Sequence, residues 1–188
     1  MIWLIAGVLL WSVTHFIPTL ARPLRQSLID RLGNNAYRGV FSLLILFSIG
    51  LMVLGWRTTP ETTVYQLPLW SRPVGFLLMI MSFILFGAAN YTTAIKRTLR
   101  HPMLTGMIIW ATSHLLTHGS TRALVLFGGL GIWALIEIPL INARDGAYSP
   151  PDSPGFKAEL KGIAISAVVF IVVVLLHPYF TGVSPLPG

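Results

Sequence analysis

Six stretches of 17 to 20 residues, Ile2–Leu20, Tyr37–Trp56, Pro73–Asn90, Pro102–His118, Arg122–Ile141 and Gly162–Tyr179, carry between them only Arg38, Arg122 and Glu137 as charged side chains. A bilayer core about 30 Å thick takes about 20 apolar residues as a helix, and somewhat fewer where flanking residues snorkel. Each stretch therefore reads as a membrane span. The expected fold is all-α: a polytopic membrane protein of six transmembrane helices, forming one domain over residues 1–188. Composition agrees, since 54% of the residues are hydrophobic and 10% charged, too apolar a balance for a soluble domain. The first stretch has neither a basic region before it nor a small-residue cleavage site after it, so it is expected to be a retained helix.

Six spans put both termini on one side with the second and fourth connections. Arg22, Arg25, Arg31, Arg38, Lys96, Arg97, Arg100, Arg144, Lys157 and Lys161 then fall on the opposite side, against Arg57, Arg72 and Arg122 on the side of the termini. Cytoplasmic loops carry the excess of Lys and Arg, so this division places both termini outside the cytoplasmic membrane. The net charge of +7 is accounted for by topology and by attraction to anionic membrane lipid, and nucleic acid is not an expected partner. The connection Asn142–Lys161, with Pro150, Pro151, Pro154, Gly146 and Gly155, has the composition of turns. With no cysteine there are no disulfides, iron–sulfur clusters, thiolate nucleophiles or covalent c-type haem. No P-loop or dinucleotide fingerprint occurs.

Ionisable side chains at membrane depth are costly unless they face the bundle interior, find a partner or bind a cofactor. All five histidines raise that question. At about 1.5 Å per residue they fall into two groups: His15 and His101 toward the cytoplasmic face, and His114, His118 and His177 toward the other. His15 and His101 differ in depth by about 7 Å, within reach of opposite faces of one haem given ordinary helix tilt. Arg22, Arg25, Arg97 and Arg100 cluster near that face, where haem propionates need cationic partners. His101 before Pro102 also suits an ordinary helix start. His114 and His118, four residues apart, have the spacing of two metal ligands on one helix face, without the Glu of the zinc-protease motif. His118 before Gly119 and His177 before Pro178 read equally well as polar helix ends.

Glu137, inside the fifth stretch, requires a partner, with Arg144, Arg97 and Arg100 as candidates. Trp11, Trp56, Trp70, Trp110 and Trp133 read as interfacial anchors, and Gly128, Gly129 and Gly131 as a close-packing surface.

Three segments, Leu10-Trp-Ser-Val-Thr-His-Phe-Ile-Pro, Arg100-His-Pro-Met-Leu-Thr-Gly through Ser113-His-Leu-Leu-Thr-His-Gly, and Trp133-Ala-Leu-Ile-Glu-Ile-Pro-Leu-Ile-Asn, together resemble the NnrU family of bacterial membrane proteins. That resemblance implies a role in the production or activity of nitrite and nitric oxide reductases in denitrification. The same pattern is similar to 15-cis-zeta-carotene isomerase, a membrane enzyme whose b-type haem is held by histidines. The corresponding segments carry His15 and His101, which the resemblance implies as axial ligands of haem b in a redox-controlled isomerase.

A further similarity is to isoprenylcysteine carboxyl methyltransferases, whose Arg-His-Pro-x-Tyr-x-Gly motif binds S-adenosylmethionine. Arg100, His101, Pro102 and Gly106 match, Leu104 replaces the Tyr, and Glu137 stands alone where that family has a Glu pair. The alternatives to a haem protein are thus a methyltransferase with Arg100, His101 and Glu137 around S-adenosylmethionine, or a non-enzymatic assembly or regulatory factor. The expected partners are membrane lipid and either an apolar substrate or a membrane partner protein.

Overall fold

The structure is a computed structural model that describes residues 1–152 and 154–185. Its helices are α1 (Ile2–Leu20), α2 (Arg22–Leu32), α3 (Asn34–Thr58), α4 (Ser71–Asn90), α5 (Ile95–Thr98), α6 (Pro102–Leu115), α7 (Thr121–Asp145) and α8 (Phe156–Thr181). Five of them, α1, α3, α4, α7 and α8, are long and apolar enough to cross a membrane. Among the described residues there is no β-strand, only an isolated bridge between Thr63 and Ser120.

The six longest helices other than α2 form a ring: α3 lies on α1, α1 on α7, α7 on α6, α6 on α4, α4 on α8, and a sparse contact from α8 to α3 closes it. Small residues set the closest approaches. Leu4 of α1 packs against Gly55 of α3, and Gly7 against Ser48 and Met52. Gly129 of α7 faces Val8, Gly131 faces Ala111, and Gly87 of α4 faces Ser166 of α8. Two of the three glycines singled out in α7 thus serve close packing; an added Cβ at Gly128 would meet nothing within 4 Å. Buried serine hydroxyls tie α4 to α6: Ser82 donates to the Gly106 carbonyl at 2.8 Å and Ser113 to that of Gly75 at 2.7 Å. Such bonds satisfy hydroxyls that hydrocarbon leaves without partners.

The helix ends gather into two sets. At one end Arg22 donates to the Arg144 carbonyl, Arg100 to that of Gly146, and His101 pairs with Asn142. At the other the amino terminus donates to Thr59, Thr121 N–H to the Thr62 carbonyl, and Tyr65 hydroxyl to the Leu115 carbonyl.

Three expectations are corrected. The fourth stretch does not run to His118 as helix: α6 stops at Leu115 and has 14 residues, about 21 Å long, shorter than a bilayer core. The reason lies in the loop before α4. Val64 and Tyr65 N–H groups both bond the Gly119 carbonyl, and a Cβ at Gly119 would run into the Tyr65 backbone, so the chain is drawn out of the helix there. The connection Asn142–Lys161 is helical over half its length, since α7 continues to Asp145 and α8 starts at Phe156, leaving the turns between.

The connection after α1 contains a helix of its own. Pro23 sits in the first turn of α2, where its missing N–H costs nothing, and Gly33, at φ 82°, ends it in a conformation that side chains rarely adopt. Finally, the tryptophans are mostly not anchors. Trp56 and Trp133 are 5% and 6% exposed, Trp11 and Trp110 pack against the core, and Trp70 alone of the five is exposed.

Candidate ligand site

Inside the ring, toward the end that carries the amino terminus, lies a cavity of about 380 Å³ to which all six ring helices contribute. That size is at the lower end of small-molecule sites. Its walls are apolar and aromatic, including Trp11, Trp56, Trp110, Phe83, Phe127 and Phe170. The polar exceptions are His114, His118, His177 and Thr181. Three histidines more than sixty positions apart in sequence at their extremes are thus brought around one space.

Local structure fixes each ring. His114 is on α6 and buried, and its Nδ1–H donates to the carbonyl of Trp110, one turn earlier, at 2.9 Å. Phe127 stacks on it at 4.1 Å between centroids, from a segment of α7, Leu124–Gly128, that widens into a π-turn. Such widenings frequently mark functional sites, and this one brings Phe127 onto the imidazole. His118 lies beyond the end of α6, with its ring 6.1 Å from that of His114 and Nδ1 on the Thr117 hydroxyl. His177 on α8 donates its Nδ1–H to the Val183 carbonyl at 2.8 Å, which folds the chain after α8 back over the ring. A carbonyl only accepts, so in His114 and His177 the proton is on Nδ1 and Nε2 keeps a lone pair. Imidazoles that bind metals are oriented by this kind of second bond. Among the described residues no three His, Asp or Glu side chains converge to hold a bare metal ion.

Arg122 borders the site. Its guanidinium lies 4.4 Å over the Trp56 ring and pairs with Glu61 at 2.7 Å, while its Nε is buried without a partner.

His15 and His101 are arranged differently. His15 donates from Nδ1 to the Trp11 carbonyl at 2.9 Å, and its ring sits 4.4 Å from that of Trp11 and 4.8 Å from that of Trp133. His101 holds Asn142 through Nε2 at 2.8 Å and caps the start of α6. The cavity is lined by neither.

Arg100 donates to the Gly146 carbonyl at 2.6 Å and lies over Tyr148, and Arg97 is exposed on α5. Glu137, 4% exposed, accepts from Thr19 at 3.1 Å instead of pairing with any of the three arginines considered for it. Its second carboxylate oxygen has no partner, nor do the indole N–H groups of Trp11 and Trp133. Arg100, His101 and Glu137 thus each engage a different neighbour. Sequence periodicity did not reveal the cavity; the one available signal was three polar rings in otherwise apolar runs at matching depth.

A ring of long apolar helices around an imidazole-bearing cavity defines a helical membrane protein. The chain belongs to the NnrU protein family, whose model matches residues 3–185. Neither a curated protein nor a solved structure matches it.

Proposed function

We propose that this protein is a multi-pass protein of the bacterial inner membrane that holds haem b in the cavity between its helices, in support of nitrite and nitric oxide reductases or of a redox-controlled isomerisation. The observation that carries the reading is the cavity itself, with the Nε2 lone pairs of His114 and His177 in an otherwise apolar, aromatic wall. The donor set fits the group, since a haem iron brings four nitrogens of its own and takes one or two imidazoles, whereas a bare ion needs a fuller cage than these residues build; the cavity, about 380 Å³ as it stands, must widen between its helices to admit the whole macrocycle. His114 or His177 would hold the iron, Phe127 and Trp110 would flank the ring, and Arg122 would answer a propionate. Bound there, haem would supply one-electron chemistry and an iron able to take a small ligand. The protein's own part is to exclude water and to fix each imidazole through its backbone carbonyl.

In this reading the chain crosses the membrane six times with both termini outside. The short α6 is buried on much of its surface among its neighbours and so has little contact with lipid.

A second reading keeps His15 and His101 as the ligands. It is favoured by the unpartnered polar atoms around His15, namely the indole N–H groups of Trp11 and Trp133 and one oxygen of Glu137. Reaching it requires His101 to release Asn142. The absorption spectrum of detergent-purified protein, as isolated and titrated with haem, separates the readings. The first expects a Soret band that shifts or disappears in His114→Ala and His177→Ala and persists in His15→Ala and His101→Ala. The reverse pattern moves the site to His15 and His101. A protein that takes up no haem, with or without titration, ends both, and retention of S-adenosylmethionine then favours the methyltransferase.

A further inference from the structure

A second cavity, independent of the first, opens at the opposite end of the ring between the end of α1, the first turns of α2 and α3, and the end of α7. It has a volume of about 910 Å³, and four guanidinium groups line it, those of Arg22, Arg25, Arg38 and Arg144. The carboxylate in its wall is Asp145, which Arg144 already grips through two bonds of 2.6 and 2.9 Å. Arg22 is tied to the fold by one bond to the Arg144 carbonyl, and Arg25 lies 5.8 Å over the Tyr37 ring. Arg25 and Arg38 belong to no ion pair among the described residues. The Tyr37 hydroxyl, in the same wall, is shielded from solvent and has no hydrogen-bond partner.

With Arg144 answered by Asp145, Arg22, Arg25 and Arg38 leave three like charges around one hollow, which repel one another, and a fold keeps them together at a cost unless a further anion enters. Arginine presents paired N–H donors that match the oxygens of a phosphate, and an orphaned phenol adds one more donor. Beside the hollow, Leu20, Leu24 and Leu43 are 63%, 51% and 66% exposed. That is apolar surface with no protein cover, contributed by the end of α1, by α3 and by α2, which buries none of its residues. Basic pockets between helices at the cytoplasmic face bind acidic lipid head groups, with the acyl chains lying along such leucines.

We propose that this arginine cavity is a binding site for a phosphate group, presented by an anionic lipid whose chains lie against Leu20, Leu24 and Leu43. The site does not depend on what the histidine cavity holds.

The test uses the full chain in neutral detergent at low salt, titrated with short-chain phosphatidic acid, short-chain phosphatidylcholine or inorganic phosphate, with melting temperature as the readout of saturable binding. Phosphatidic acid is expected to bind and phosphatidylcholine not. Arg25→Gln with Arg38→Gln removes two charge-assisted contacts and should weaken binding by about tenfold or more. Arg57→Gln with Arg72→Gln, at the other end of the ring, should leave it unchanged. Both pairs are exposed, and the melting temperature of each variant without ligand checks that the fold is intact. Inorganic phosphate binding as tightly as the lipid, with the same loss in Arg25→Gln/Arg38→Gln, upholds the phosphate site and removes the lipid as its source. Equal loss in both double variants, or none in either, overturns the proposal.

Discussion

Gly55→Ala should destabilise the protein even though alanine is the better helix former. In an exposed helix interior the exchange gains about 0.5–1 kcal/mol. At Gly55 the added methyl would lie 2.6 Å from the Leu4 Cα and 2.7 Å from its Cβ, close also to the Leu4 nitrogen. Ordinary carbon contacts are about 3.5–4.0 Å, so α1 must retreat by roughly 1 Å, and the obstacle is backbone that no rotamer change removes. Leu4 is fully buried, and Met52 and Trp56 beside it form one core cluster, so the retreat loosens that cluster. Overpacking of this kind costs about 1–3 kcal/mol, which outweighs the propensity gain and lowers the melting temperature by several degrees. Gly39 and Gly50, on the same helix, have nothing within 4 Å of an added Cβ. Gly39→Ala and Gly50→Ala should therefore be neutral or slightly stabilising in the same detergent melt. If Gly55→Ala melts with Gly50→Ala, the close approach of α1 and α3 is not what holds them together.

Other expectations follow the same logic. Ser82→Ala and Ser113→Ala each remove a buried bond between α4 and α6 and should cost about 0.5–2 kcal/mol apiece by the same melt; no change in either would deny the hydroxyls a packing role. Tyr65→Phe leaves the Leu115 carbonyl without its hydroxyl donor, and amide hydrogen exchange should rise at the end of α6 and through His118 while α1 stays protected. Burial pushes the Tyr65 phenol above its ordinary 10, so its native form keeps the proton longer than the unfolded one; its contribution is complete below pH 10 and declines as pH rises further, a loss that Tyr65→Phe should abolish in alkaline melts. A reporter active only in the cytoplasm, fused after Gly188, should stay silent while a periplasmic one reports; the opposite result would invert the proposed orientation.

Long uncharged runs determine by themselves that this chain is helical and made for a membrane, because nothing else satisfies both their hydrophobicity and their backbone. The sequence also located the helix start at His101-Pro102, since proline suits the first turn and restricts its neighbour. The end of α6 was not legible. Leu116 continues the apolar run past the last helical residue, Leu115, and what stops the helix is Gly119 meeting the backbone of Tyr65, more than fifty residues earlier. Nor was α2, whose mixed basic and apolar residues lack the length of a span and take their place against α3.

For the site, sequence supplied the residue types and their approximate depths. Depth along a helix leaves rotation about its axis open, and rotation decides which imidazoles share a space. Packing turned His114, His118 and His177 onto one cavity, set His15 among indole rings, and tied His101 to Asn142. Close contacts of Gly7 in α1 with Met52, of Gly106 in α6 with Phe86, and of Gly87 with Ser166 in α8 fix those rotations, and such contacts exist only once the helices have met.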